Sequence, residues 1–201
     1  MNRYLNPSQY IDSDDAHVRA VASELARGAH TDADIVRSCF EFVRDEIKHS
    51  ADFKLNPVTC KASDALRYKT GYCYAKSHLL AALLRANDIP AGLCYQRLSV
   101  GDSGAPYCLH GLNAVHLKDF GWYRLDARGN KPGVDARFRP PMEALAFTIQ
   151  DAHERDLPEI WAEPLPVIVE VLERYDTYDQ VLANLPDVEL VSLSGASARR
   201  A

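Results

Sequence analysis

No stretch of this 201-residue chain stays apolar over the roughly 20 positions that a bilayer-crossing helix needs. The opening MNRYLNPSQYIDSDD has no apolar centre of the kind a secretory leader carries. These two absences set the expectation of a cytoplasmic protein with no membrane partner. Positive charge is in deficit as well. The 23 Lys and Arg stand against 28 Asp and Glu, a net charge of -5, so the electrostatic basis for holding nucleic acid is missing. Cysteines are few and odd in number, at 39, 60, 73, 94 and 108, which argues against a disulfide framework. The default for each is a packed core thiol, and the question becomes which one is reactive. Cys94, Cys108, His78, His110 and His116 show no CxxC or HxxxH spacing, so no metal site and no cofactor are expected.

What is present is ordinary for a globular chain: 47% apolar and 25% charged residues, without internal repeats or low-complexity blocks. The length fits one domain over 1–201, with a core at about 30–135 and an extension at about 136–190. Residues 13–27 read as an amphipathic helix capped by Ser13, and a second helix spans about 32–48. Ser63 or Asp64 caps a short turn of helix. Gly71 breaks the chain before Cys73, and 73–86 is the most apolar helix, closed by Asn87 and Pro90. The period then changes. Residues 91–100, 111–118 and 121–126 read as antiparallel strands, with Lys118-Asp119-Phe120-Gly121 as a hairpin connection. Beyond Gly133 prolines cut the chain into short helices, the clearest from Pro166 to Tyr175, and the last ten residues read as frayed. Helices followed by strands give an α+β fold, a central helix packed on an antiparallel sheet, with a helical C-terminal extension.

Cys73 opens the long apolar helix, where free N–H groups and a partial positive charge favour a thiolate and can hold an oxyanion. His110 shares a strand face with residues 112, 114 and 116, and Asp126 shares one with Trp122 and Arg124 on the next strand. Two adjacent strands in the right register would set a carboxylate beside an imidazole. A cysteine nucleophile needs that arrangement: the imidazole takes the thiol proton and the carboxylate orients the ring. Singly, each residue has a plain structural reading: a buried thiol, an edge histidine, a turn aspartate.

The stretch KASDALRYKTGYCYAKSHLLAALLRANDIPAG resembles the nucleophile segment of the transglutaminase-like superfamily: a glycine-aromatic-cysteine turn, a helix, and a Leu-Arg then Ile-Pro-Ala ending. HGLNAVHLKDFGWYRLDARGN is similar to the family's histidine strand, hairpin, tryptophan and strand-ending aspartate, with Trp122 and Asp126 twelve and sixteen residues after His110. The two blocks cover about a third of the chain. The resemblance implies a papain-like core and a triad of Cys73, His110 and Asp126. The chain departs from the family's pattern at Gly111-Leu112-Asn113, where an aromatic residue usually follows the histidine, and at Ala127, where proline is common.

The expected activity is acyl transfer through a Cys73 thioester, with a peptide or small amide as substrate and water preferred over an amine as acceptor. Calcium-binding carboxylate clusters of the kind some transglutaminases use are not visible. The alternative is a catalytically silent peptide-binding module on the same fold. Tyr72 and Tyr74 are expected to line the cleft, and Gln96 is a candidate substrate-binding or oxyanion side chain beside the Cys73 N–H. His78 and His116 read as structural. Arg128 and Lys131 read as solvated loop charge, with attraction of a substrate carboxylate as the lesser reading, and Asp151 to Glu163 reads as a solvated acidic face. Oligomeric state is not readable.

Overall fold

The structure, a computed structural model, describes residues 1–101 and 104–188. Helices α1 (Ala16–Leu25) and α2 (Asp32–Glu46) come first, each closed at its N-terminus by a side chain. Asp15 rather than Ser13 caps α1, accepting from the N–H groups of His17 and Val18 at 2.9 and 3.0 Å. A carboxylate at this position also meets the positive end of the helix dipole. Thr31 and Asp34 form a reciprocal capping box on α2. Strand β1 (Lys48–His49), α3 (Ser50–Phe53) and α4 (Ala62–Tyr68) lead to β2 (Thr70–Gly71), which pairs in parallel with β1.

Helix α5 (Cys73–Arg85) is buried along its whole length. With Leu79, Leu80, Leu83 and Leu84 fully enclosed, each contributes about 1.5–3 kcal/mol of burial. It lies on the sheet formed by β3 (Ala91–Ser99), β4 (Tyr107–Leu117) and β5 (Gly121–Leu125), antiparallel throughout. The hairpin between β4 and β5 pairs Leu117 with Gly121 across the expected connection. Hairpin strands β6 (Arg137–Arg139) and β7 (Met142–Ala144) follow, then β8 (Arg155–Asp156), which adds to the free side of β3 for an order β5-β4-β3-β8. The expectation of short helices from Gly133 on is corrected: the first half of the extension carries strands β6, β7 and β8, and it is helical only from Pro166, with α6 (Pro166–Arg174) and α7 (Tyr178–Ala183). The expected frayed tail lies outside the described residues. The fold is thus α+β, with its most buried helix set on an antiparallel sheet, and among the described residues no helix is long and apolar enough to cross a membrane.

Candidate active site

Strand β4 begins four residues earlier than its sequence pattern suggests, so His110 sits inside the strand instead of at its mouth. The ladder with β5 stops where Asn113 faces Leu125. One step further puts Asp126 level with Leu112, two positions from His110 on the same face, a diagonal neighbour within side-chain reach. His110 Nε2 and Asp126 Oδ2 are 2.7 Å apart. The short β5 also leaves the edge of β4 open from Gly111 backwards, and other groups take the free amides. The Leu109 N–H donates to the Pro186 carbonyl at 2.7 Å, and the Gly111 N–H donates to Cys73 Sγ at 3.4 Å.

Gly111 makes that approach possible. A Cβ here would lie 3.0 Å from Tyr74 Cδ1 and 3.3 Å from both the backbone N and Cα of Tyr74. A side chain would therefore require β4 or the start of α5 to give by a few tenths of an ångström. In contrast with α1 and α2, α5 has no side-chain cap: Tyr72 precedes Cys73 and offers none, so no side chain spends the first-turn N–H groups of Cys73 and its successors.

Asp126 is fully buried and saturated with donors. Its Oδ1 accepts from the Arg128 N–H at 3.0 Å, and its Oδ2 from the Ala146 N–H at 3.1 Å besides the imidazole. Burial disfavours the carboxylate, but the His110 charge and these hydrogen bonds win and hold it below its usual range. For His110 burial again opposes the charged form. The Asp126 charge, the Cys73 charge and hydrogen bonds to both outweigh it and push the imidazole up to about 10. The Phe147 ring stands edge-on to the imidazole at 5.0 Å, so the loop that donates to Asp126 through Ala146 also packs on His110. Burial alone or mainly pushes the thiols of Cys39, Cys60, Cys94 and Cys108 up to about 12. Among the described cysteines, Cys73 is the one whose charge helps to raise the His110 imidazole.

A cleft of about 720 Å³ opens over Cys73 and His110. Tyr72 and Tyr74 line it, but their hydroxyls are spent inward, on the carbonyls of Tyr178 and Leu109. Gln96 does not reach the cleft. It faces His110 across the β3–β4 ladder, yet its amide donates to Asp156 Oδ1 at 3.0 Å and to the Phe147 carbonyl at 3.4 Å, which corrects its assignment to substrate or oxyanion. His78 is structural as expected, fully buried with Nδ1 2.7 Å from the Cys60 carbonyl. His116 packs edge-on against Trp122.

Two charge readings need correction. Arg128 is buried, clasping Asp52 through two bonds of 2.6 and 3.0 Å, because Asp126 draws its backbone inward. Glu154 is also buried, since it accepts from the N–H groups of Ser99 and Gln150 at 3.0 and 2.7 Å and so stitches the cleft wall. The sequence reading passed over His49, Asp52 and Lys76. Lys76 carries a signal in hindsight: it is the lone lysine in the apolar face-to-face run of α5, one turn after Cys73. His49 and Asp52 reach the cleft only through the β1–β2 pairing, which leaves no local pattern.

The chain matches the model of the transglutaminase-like superfamily over residues 19–127. No curated protein matches it closely enough to count as a relative. Among solved structures it is similar to a candidate cysteine protease from Cytophaga hutchinsonii, at 21% identity and a TM-score of 0.50, over 62% of this chain and 40% of that one. It is also similar to the periplasmic domain of TgpA from Pseudomonas aeruginosa, at 20% identity and a TM-score of 0.47, over 62% of this chain and 45% of that one. The chain therefore spans less than half the length of either. With a family match across more than half of its residues, running from α1 to the residue after Asp126, this chain belongs to the transglutaminase-like superfamily.

Proposed function

We propose that the protein is a cysteine-nucleophile amide hydrolase working through Cys73, His110 and Asp126. The observation that carries this reading is the convergence on one thiol. An uncapped helix N-terminus and a backbone N–H at 3.4 Å meet at Cys73, and the same cleft holds the His110 imidazole, backed by the Asp126 carboxylate at 2.7 Å. Each of these stabilises a thiolate or the negative charge that develops when it attacks.

In the first half-reaction the Cys73 thiolate attacks the amide carbonyl carbon, and the carbonyl electron pair moves to oxygen. The N–H groups at the start of α5 stabilise that oxyanion. The imidazolium of His110 gives its proton to the amide nitrogen, the C–N bond breaks, and the amine leaves a thioester behind. In the second half His110 takes a proton from water, the hydroxide adds to the thioester, the C–S bond breaks and the acid departs. Asp126 keeps the ring oriented through both halves. Water is the proposed acceptor, and a peptide or small amide the proposed donor.

The test is to label the five cysteines with iodoacetamide across pH, map the sites by mass spectrometry, and repeat the labelling in His110→Ala. Cys73 is expected to react at least about tenfold faster than the other thiols near neutral pH, and to lose that lead in the variant. Labelling of Cys73 at the pace of the other four, indifferent to the substitution, would overturn the reading in favour of a silent binding module.

A further inference from the structure

Beside the cleft lies a second cavity of about 590 Å³, and His49, Asp52 and Lys131 line both. Arg44, Lys48, Lys76 and Lys131 line the second cavity against only Asp45 and Asp52. Both carboxylates are already committed to guanidiniums. Asp45 is held by Arg44 through two bonds of 2.7 Å, and Asp52 by Arg128. Lys131 shares Asp52 at 2.8 Å. The remaining two ammonium groups hydrogen-bond to carbonyls only. Lys48 donates to the Asp45 carbonyl at 2.7 Å, and Lys76 to the carbonyls of Arg44, at 3.3 Å, and Ile47.

This surplus is built into the fold and is not confined to surface side chains. Lys76 is 1% exposed, so its charge is delivered from inside α5 to the cavity floor. Gly129, at φ +117°, forms the adjacent floor, and a Cβ there would come within 3.4 Å of the Arg44 carbonyl and 3.6 Å of Lys76 Nζ. His49 is 7% exposed, and its Nδ1 is without a hydrogen-bond partner. The nearest carboxylate oxygen, of Asp52, is 3.7 Å from it, beyond hydrogen-bond distance. A buried ring nitrogen left unpaired carries a cost, and in the tautomer with the proton on Nδ1 a bound acceptor would relieve it. Burial, then the Arg128 charge, pulls Lys76 down to about 7, and the same two causes hold His49 well below its ordinary value.

We infer that this second cavity is an anion subsite, and that the amides cleaved at Cys73 carry a carboxylate on the Asp52 side of the scissile bond. The part that concerns substrates rests on the hydrolase reading above; the anion site itself does not. A carboxylate entering past Asp52 meets the Lys131 and Lys48 ammoniums, with Lys76 behind them and His49 as a further polar contact at the junction of the two cavities. The carboxylate could be the terminal one of a small amide or the side chain of an acidic peptide.

The experiment has two arms on the full chain. In the first, glutarate and its diamide, glutaramide, are titrated in turn while the ¹⁵N signals of the His49 ring are followed, assigned by their disappearance in His49→Gln. Glutarate is expected to shift them saturably and glutaramide to leave them unmoved, with Lys48→Gln and Lys131→Gln together weakening glutarate at least about tenfold, as the loss of two close charge contacts requires. Unmoved signals with glutarate, equal shifts with the diamide, or undiminished binding in the double variant would each overturn the subsite. If the double variant fails to fold, the wild-type comparison of acid with diamide still decides.

The second arm measures kcat/KM for matched amides, Asp against Asn at each position flanking the bond, and free carboxylate against carboxamide at the terminus. An advantage of about tenfold or more for one acidic member is expected, and the pair that shows it identifies the source of the carboxylate. Equal turnover of acid and neutral members would sink the substrate inference and leave the hydrolase standing. Glutarate binding with no amide cleaved would sink the hydrolase reading, and with it the substrate inference, and leave the anion site standing.

Discussion

At the C-terminal end of α5 the buried Arg85 guanidinium donates to the carbonyls of Ala91, Asn6 and Ala162 at 3.1, 2.9 and 2.6 Å. One side chain there ties the helix end to β3, to the N-terminal segment and to the loop before α6. At the N-terminal end, a similar density of buried polar groups is left partly unspent. The helix has no side-chain cap, Cys73 Sγ receives one backbone N–H, and His49 keeps an unpaired nitrogen. The first end has the marks of a fastening, with donors matched to acceptors. The second keeps hydrogen-bonding capacity in reserve, and such capacity is useful only toward something that arrives later. Burial and charge are common to both ends, and the difference lies in whether the polar groups have been satisfied.

The sharpest way to break this contrast is at Asp126. Asp126→Asn keeps the shape but removes the charge that holds the imidazole protonated, and its NH2 group cannot accept at one of the two positions where the carboxylate oxygens accept. A loss on the order of 10²–10⁴-fold in Cys73 turnover or labelling rate is expected. A loss of less than about threefold would show that orientation of His110 is not what activates the thiol. At the other end, Arg85→Met leaves three carbonyls without their donor and should cost about 3 kcal/mol, a fall of roughly 6–12 °C in a calorimetric Tm. Cys73 labelling measured well below that transition should not change. If it does, the two ends are coupled and the contrast fails.

The smallest effect is in the pH dependence of stability. His110 has its pKa raised in the folded state, so its contribution is fully present below the unfolded value near 6.5 and is lost as pH rises through about 10. The Cys73 charge is one of the causes, so in Cys73→Ala the decline should start near the same pH but level off at lower pH, with a smaller total loss, than in the wild type. Urea midpoints from pH 6 to 10.5 would show it, and coincident profiles would remove the thiol from the account.

The helical and antiparallel elements around the site were legible because each writes a period into the sequence: the apolar run of α5, the alternation in β4, the hairpin at 118–121. The pairing of His110 with Asp126 was legible because a short hairpin fixes the two strands relative to each other. Gln96 was misplaced for a different reason. Its position opposite His110 follows from strand register, but the partner of its amide, Asp156, comes from β8, sixty residues on. Arg128 and Glu154 were misread as solvated because charge in a loop is usually wet, and only tertiary packing reveals Asp52 or the Ser99 amide as partners. The wall of His49, Asp52 and Lys76 was invisible to local pattern because it is assembled from β1, α3 and α5.

Gly111 has a consequence for how this site can change over generations. Every other amino acid would add a Cβ at a point where Tyr74 already stands, and two of the three close atoms belong to the Tyr74 main chain. Trimming the tyrosine in the same lineage would relieve only one of them. Substitutions at 111 are therefore not fully relieved by a smaller side chain at 74. The absent side chain is what lets the Gly111 N–H come within 3.4 Å of Cys73 Sγ without displacing Tyr74.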